Sequence, residues 1–112
     1  YIVTQMFFDN QKYFDFVKLC RSKGITVPII PGLKPVSTQS QLVSIPKTFG
    51  VDMPEELVKE VLKCKDNKAV RETGIEWAVA QSKELLAFGV PVLHYYTMGK
   101  SDNIRKIAEN VF

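Results

Sequence analysis

The sequence predicts an α/β fold in which short parallel strands alternate with helices. Three observations predict it. Apolar runs near residues 1–8, 25–30 and 92–96 are rich in β-branched and aromatic types. An amphipathic helical pattern comes after each run. The connections are long enough for parallel rather than hairpin pairing. Three parallel strands are a thin basis for a free-standing sheet, because such strands bury both faces. The pattern fits three consecutive units of a (β/α)8 barrel, where active residues sit at the C-terminal ends of strands.

Residues 1–8 read as a buried strand. Asp9 or Asn10 can cap the next helix, whose apolar face is Tyr13, Phe16, Val17 and Cys20. Gly24 sits where a glycine ends a helix. Residues 25–30 form the second strand, ended by Pro31-Gly32, and residues 33–36 read as a loop. Ser37 or Thr38 can cap a helix carrying Leu42, Ile45 and Phe49. Pro54 suits the first turn of another, with Glu55 and Glu56 at its positive end. Leu57, Val58, Val61 and Leu62 make its apolar stripe. A long helix runs over 67–88, with Val70, Ile75, Val79, Ser82, Leu85 and Leu86 at helical spacing and Gly89 as terminator. Residues 92–96 are the third strand. Ser101 can cap a last helix with Ile104, Ile107, Ala108 and Val111 on one face.

Composition narrows the function. The chain has 112 residues, 15 Lys+Arg, 12 Asp+Glu and 46% apolar residues, a globular balance with room for one core. The charge of +3 is spread without a basic block, so nucleic acid is not an expected partner. Cys20 and Cys64 form no metal or redox motif, and His94 is the only histidine. No run reaches the roughly 18 apolar residues of a membrane span, and nothing reads as a signal peptide. The expected setting is cytoplasmic. The chain opens on Tyr-Ile-Val-Thr-Gln-Met-Phe-Phe, directly in a strand-like run, which suggests a piece of something larger.

Three strand ends carry groups that could hold a ligand. Gln5 interrupts a run of large apolar residues. On alternation it shares a face with Val3 and Phe7 and is expected to point inward. A buried amide needs partners, and its side-by-side donor and acceptor match a heterocycle edge. A glutamine bonded to its own neighbours is the competing reading. The segment Ile29-Ile30-Pro31-Gly32-Leu33-Lys34-Pro35 is a strand end stiffened by prolines, with Gln39 and Gln41 just beyond it. The segment from His94 to Lys100 offers hydroxyls and an amine; His94 itself reads as structural. Asp9 and Asp52 read as caps or loop residues, and Met6 and Met98 as packing. There is no glycine-rich dinucleotide fingerprint and no phosphate loop. The residues alone thus describe a ligand-holding module without a catalytic set. Two classes stay open on the residues alone: a heterocycle-binding α/β module without redox activity, or a structural domain.

The same strand ends carry a resemblance. Thr4-Gln5-Met6-Phe7-Phe8-Asp9, then Ile29 to Pro35, then His94-Tyr95-Tyr96-Thr97-Met98 resemble, in order, the C-terminal part of the methylenetetrahydrofolate reductase catalytic barrel. Val51-Asp52-Met53-Pro54 and the long helix are similar too, so the likeness spans essentially all 112 residues as one segment of one domain.

The resemblance implies an FAD-dependent oxidoreductase of one-carbon metabolism and methionine biosynthesis. NAD(P)H reduces the flavin, which reduces 5,10-methylenetetrahydrofolate to 5-methyltetrahydrofolate. Gln5 matches a glutamine that bonds the pterin ring near the nicotinamide and flavin. Gln41 matches a second folate-contacting glutamine. Ile45 stands where family members can place an aromatic that stacks on folate or nicotinamide. Tyr96 and Thr97 match a strand end lining the same cavity. Lys100 stands where many relatives have arginine, and Met98-Gly99 where many have Leu-Asn. A lysine would meet the substrate's glutamate tail as a point charge, without a bidentate fork. The family's catalytic glutamate and most of its FAD-holding groups have no matching position here. No catalytic residue and no metal ligand is therefore expected in this segment. Alone it should be inactive and should satisfy its open strand edges by self-association or homo-oligomer formation.

Overall fold

A computed structural model describes residues 1–96 and 102–112. The element order is β1 (Ile2–Val3), α1 (Asn10–Ser22), β2 (Ile29–Ile30), β3 (Gly32–Leu33), α2 (Gln41–Phe49), α3 (Glu55–Leu62), α4 (Asn67–Phe88), β4 (His94–Tyr95) and α5 (Asp102–Val111). The α/β class stands as expected from the sequence.

All described strand pairing is parallel. Ile2 and Val3 lie opposite Ile29 and Ile30, and Gly32 and Leu33 lie opposite His94 and Tyr95. Pro31 alone separates β2 from β3. It has no N–H to give a ladder, but its carbonyl accepts from His94 N at 3.0 Å. One central run of chain thus pairs with β1 on its first half and with β4 on its second. The result is two two-stranded sheets, with no closed sheet among the described residues.

The strands are shorter than the apolar runs suggested. The ladder of β1 ends where Thr4 N donates to the Ile30 carbonyl at 3.0 Å, so Gln5 to Phe8 lie outside the strand, Gln5 exposed and Met6 to Phe8 buried. Residues 25–28 precede β2 as an exposed connection. Conversely, Leu33, read as loop, is strand, because the second strand continues past Pro31-Gly32.

Helix boundaries obey local signals. Asp9 caps α1 by accepting from Gln11 N, and Gly24 lies just past its end with φ 82°. Asp66 caps α4 by accepting from Ala69 N, and Gly89 ends it with φ 109°. Several expectations fail here. Leu62 of α3 and Phe49 of α2, expected on apolar faces, are exposed. Ser37 and Thr38 do not cap α2, whose N-cap is Ser40 without a side-chain bond. Phe16, expected on the buried face of α1, is 40% exposed, because α1 meets the sheet mainly through Tyr13 and Cys20. Ser101 lies outside the described residues.

Two cores meet along the sheet. Tyr13, Cys20, Ile29, Leu33, Leu85 and Val90 pack between the sheet, α1 and α4, with Phe7 stacked on Tyr13. Met6, Phe8, Val36, Ile45, Leu57, Val61 and Val70 pack beyond the strand ends, among α2, α3 and α4. Ile75, Ala78 and Ile107 join α4 to α5. The long helix α4 therefore braces the other elements. It comes so near the chain leaving β3 that a Cβ on Gly74 would collide with the Val36 carbonyl.

Candidate ligand site at the strand ends

Ile2, Leu93 and Tyr95 turn toward the helices, where they pack with Ile29 and Leu33. Their neighbours Val3 and His94 are exposed, and Gln5 with them. Gln5 therefore lies on the open side of the sheet, not in a core. It parts company with Phe7 because alternation stops with the ladder at Thr4. Its side chain is nevertheless fixed: Oε1 accepts from Met6 N at 3.1 Å.

The chain on both sides of Gln5 is anchored. Thr4 Oγ1 accepts from Gly32 N at 2.9 Å, and the Thr4 carbonyl accepts from the Tyr96 hydroxyl at 2.8 Å. Tyr96 reaches across Gly32 to do so; a Cβ there would lie 2.6 Å from both the Thr4 carbonyl and the Tyr96 ring. On the far side, the Phe8 carbonyl accepts from Trp77 Nε1 at 2.8 Å, and the Phe7 carbonyl accepts from Gln81 Nε2 at 3.2 Å. Gln81 also donates to Asn10 Oδ1, and Asn10 Nδ2 donates to the Gln81 carbonyl. Nothing in the sequence pointed to Trp77, Gln81 or Asn10 as more than helix-face or cap residues.

Gln41 repeats the arrangement seen at Gln5. It opens α2, and its Oε1 accepts from Ser37 N at 2.7 Å and from Thr38 N at 3.3 Å. The amide oxygen is held by one backbone N–H in Gln5 and by two in Gln41, and no described residue accepts from either amide nitrogen. The two side chains are thus pre-set as donors. Tyr96 is half-buried, with His94 edge-on to its ring at 4.7 Å. Ile45 is 3% exposed and sits in the core under α2, so within this chain its side chain is not on a ligand-facing surface. Thr97 and Lys100 lie outside the described residues.

Lys34 is 5% exposed, a burial that its place beside Pro35 does not foretell. Its Nζ lies 3.4 Å from the Pro35 carbonyl, its one partner among the described residues. Burial pulls its pKa below the ordinary lysine value. A cleft of about 390 Å³ runs along the unpaired edge of β1, lined by Val3, Thr4, Gln5 and Phe16 among others. A larger one of about 570 Å³ lies behind Phe8, against α3 and α4, with Asp9, Glu55, Glu56 and Glu84 at its walls. Among the described residues no group of His, Cys, Asp or Glu could hold a metal ion, and no helix is long and apolar enough to cross a membrane.

Comparison with known proteins assigns this arrangement to a family. The methylenetetrahydrofolate reductase family profile matches residues 1–111. The chain is 34% identical to methylenetetrahydrofolate reductase 1 of Schizosaccharomyces pombe over 112 residues, covering 99% of the chain and 19% of that protein. It is 38% identical to methylenetetrahydrofolate reductase (NADH) 1 of Arabidopsis thaliana over 98 residues, covering 87% of the chain and 17% of that protein. A similar solved structure is a Clostridium thermocellum protein that binds two copies of 5-methyl-5,6,7,8-tetrahydrofolic acid. It matches 96% of this chain and 41% of its own, with a TM-score of 0.55 at 20% identity, a likeness of fold. The chain spans about a fifth of the length of the curated relatives named here, and it belongs to the methylenetetrahydrofolate reductase family.

Proposed function

We propose that this chain is the folate-holding part of a methylenetetrahydrofolate reductase catalytic domain. The full-length enzyme reduces 5,10-methylenetetrahydrofolate to 5-methyltetrahydrofolate with NAD(P)H through FAD. The observation that carries the reading is the shared state of Gln5 and Gln41. The Gln5 amide oxygen is tied to one backbone N–H and that of Gln41 to two, so each amide nitrogen is left to donate to a ligand. Family membership supports the reaction, and relatives named for NADH and for NADPH support a nicotinamide donor. The folate-binding structural neighbour supports the substrate class.

In this reading β1, the central run β2–β3 and β4 are consecutive strands of a (β/α)8 barrel. The side of the strands on which Val3, Gln5 and His94 are exposed then faces the barrel interior. Residues 1–112 form one segment of that domain. Gln5 and Gln41 donate to the pterin, and Gln5 also lies near the nicotinamide and flavin. Tyr96 and Thr97 line the cavity, and Lys100 meets the glutamate tail. Ile45 supports the pterin side from below rather than stacking on it.

When bound, FAD supplies the hydride relay. The described residues fit the heterocycle portion, through amide donors and a phenol, and provide no cradle for the flavin's phosphates. The parent's other strands would hold those, and the 112 residues alone are expected to lack turnover and to self-associate through open strand edges. Cys20 and Cys64 are both free thiols, which suits a reducing cytoplasm.

The test is Gln5→Ala in the full-length reductase. Weaker folate binding, read as a raised KM in the reductase assay and in flavin difference titrations, is the expected result. Unchanged turnover and affinity would sink the assignment.

A further inference from the structure

We propose that Trp77 and Gln81 of α4 are positioning residues for substrate, acting on folate through Gln5; the proposal rests on the reading of Gln5 as a folate-binding group. The reason lies in the chain just beyond the β1 ladder. After Thr4 the chain has no strand partner, yet Gln5 sits in the next position. A strand end left to itself frays, and its side chains wander with it. Here the two residues Gln5-Met6 are strung between fixed points. Thr4 is held by the sheet, Gly32 and Tyr96. Phe7 and Phe8 are held by α4, through Gln81 Nε2 and Trp77 Nε1. The same Gln81 amide locks Asn10, the first residue of α1. Gln5 therefore takes its place from both ends of a short span.

The chemistry of the brace also separates positioning from packing. Gln81 is 5% exposed and its Oε1 is buried with no hydrogen-bond partner. Such an orphan acceptor costs stability, and a leucine could fill the space without it. What glutamine supplies and leucine cannot is a pair of directed donors, to the Phe7 carbonyl and to Asn10. Buried polar groups of this kind fix one geometry among several that packing alone would tolerate. A shift of the Gln5 amide by a fraction of an ångström would weaken its bond to the ligand.

The test uses the full-length reductase with variants Gln81→Leu and Trp77→Phe, each alone and combined with Gln5→Ala. Trp77→Phe keeps an aromatic ring and removes the N–H, so it remains informative if Gln81→Leu folds poorly. The expected result is a folate KM raised about tenfold in either variant. FAD content should stay near wild type, and the thermal midpoint should fall only by the few degrees that one or two lost hydrogen bonds cost. In the Gln5→Ala background the same changes should add little, because the group they position is gone. Gln5→Ala raising KM while neither α4 variant does so would overturn the brace and leave the folate reading intact. Equal losses from the α4 variants with and without Gln5 would also overturn it, as a merely structural effect. An unchanged KM in Gln5→Ala itself would overturn both.

Discussion

The Tyr96 hydroxyl donates to the Thr4 carbonyl at 2.8 Å and so ties the last strand to the first, although β1 and β4 pair only with the run between them. Gly32 makes the bond possible, because its missing side chain leaves the space that the phenol crosses. Three strand ends are thereby fixed by one side chain.

Tyr96→Phe removes that bond and little else. The expected cost is about 1 kcal/mol, the net worth of a typical hydrogen bond. Urea unfolding of the full-length protein reads it. A variant as stable as wild type would show that water replaces the phenol at the Thr4 carbonyl.

Gly74→Ala sets two effects against each other. Inside a helix, alanine is favoured over glycine by about 1 kcal/mol. The added methyl, however, would overlap the Val36 carbonyl, a backbone group that cannot rotate away. Moving α4 off the chain after β3 costs roughly 1–3 kcal/mol as overpacking. The steric effect should win, giving a lower thermal midpoint. A raised midpoint would mean that α4 slides without loss.

These contacts explain how much could be read from the chain alone. Three helix ends were legible because their signals are local: Asp9, Gly24 and Gly89 act on backbone a few residues away. The strands were less so. Met6, Phe7 and Phe8 are as apolar as a strand, but α4 covers them and no ladder does. Leu33 comes after a proline-glycine pair, yet it is strand because Tyr95 lies opposite it. Of the candidate site, Gln5 stood out as a polar residue in an apolar run, and Gln41 only through the family resemblance. Trp77 and Gln81 did not, because their partners lie 69 and 74 residues away in sequence.

Gln41→Glu separates the two halves of that side chain. A carboxylate still accepts from Ser37 N and Thr38 N, and as a charged acceptor it does so more strongly. It has no N–H to offer a ligand. Stability should therefore hold or rise, while folate affinity falls roughly tenfold or more, as expected for a lost donor in a ligand site. Titration of the full-length enzyme with folate, beside a melting curve, reads both. Affinity equal to wild type would remove Gln41 from the site.

Lys34 gives the chain a distinctive alkaline signature. Burial holds its folded pKa below the ordinary value of 10.5. Between those two values the unfolded chain binds more protons than the folded one, so stability rises with pH across that window. Below the window the penalty of burying the charged amine is present in full. Lys34→Met removes the penalty and should be the more stable protein at neutral pH. The gap should then narrow as pH approaches 10.5. Tyr13 and Tyr95, whose phenols are pushed up by burial, act in the opposite sense. Their folded forms keep a proton above pH 10.0, so stability falls there as the unfolded phenols ionise. That fall is common to both proteins and cancels in their difference. Urea midpoints of wild type and variant from about pH 7 upward give the difference directly, and a gap that widens with pH would overturn the assignment of Lys34 as a buried cation.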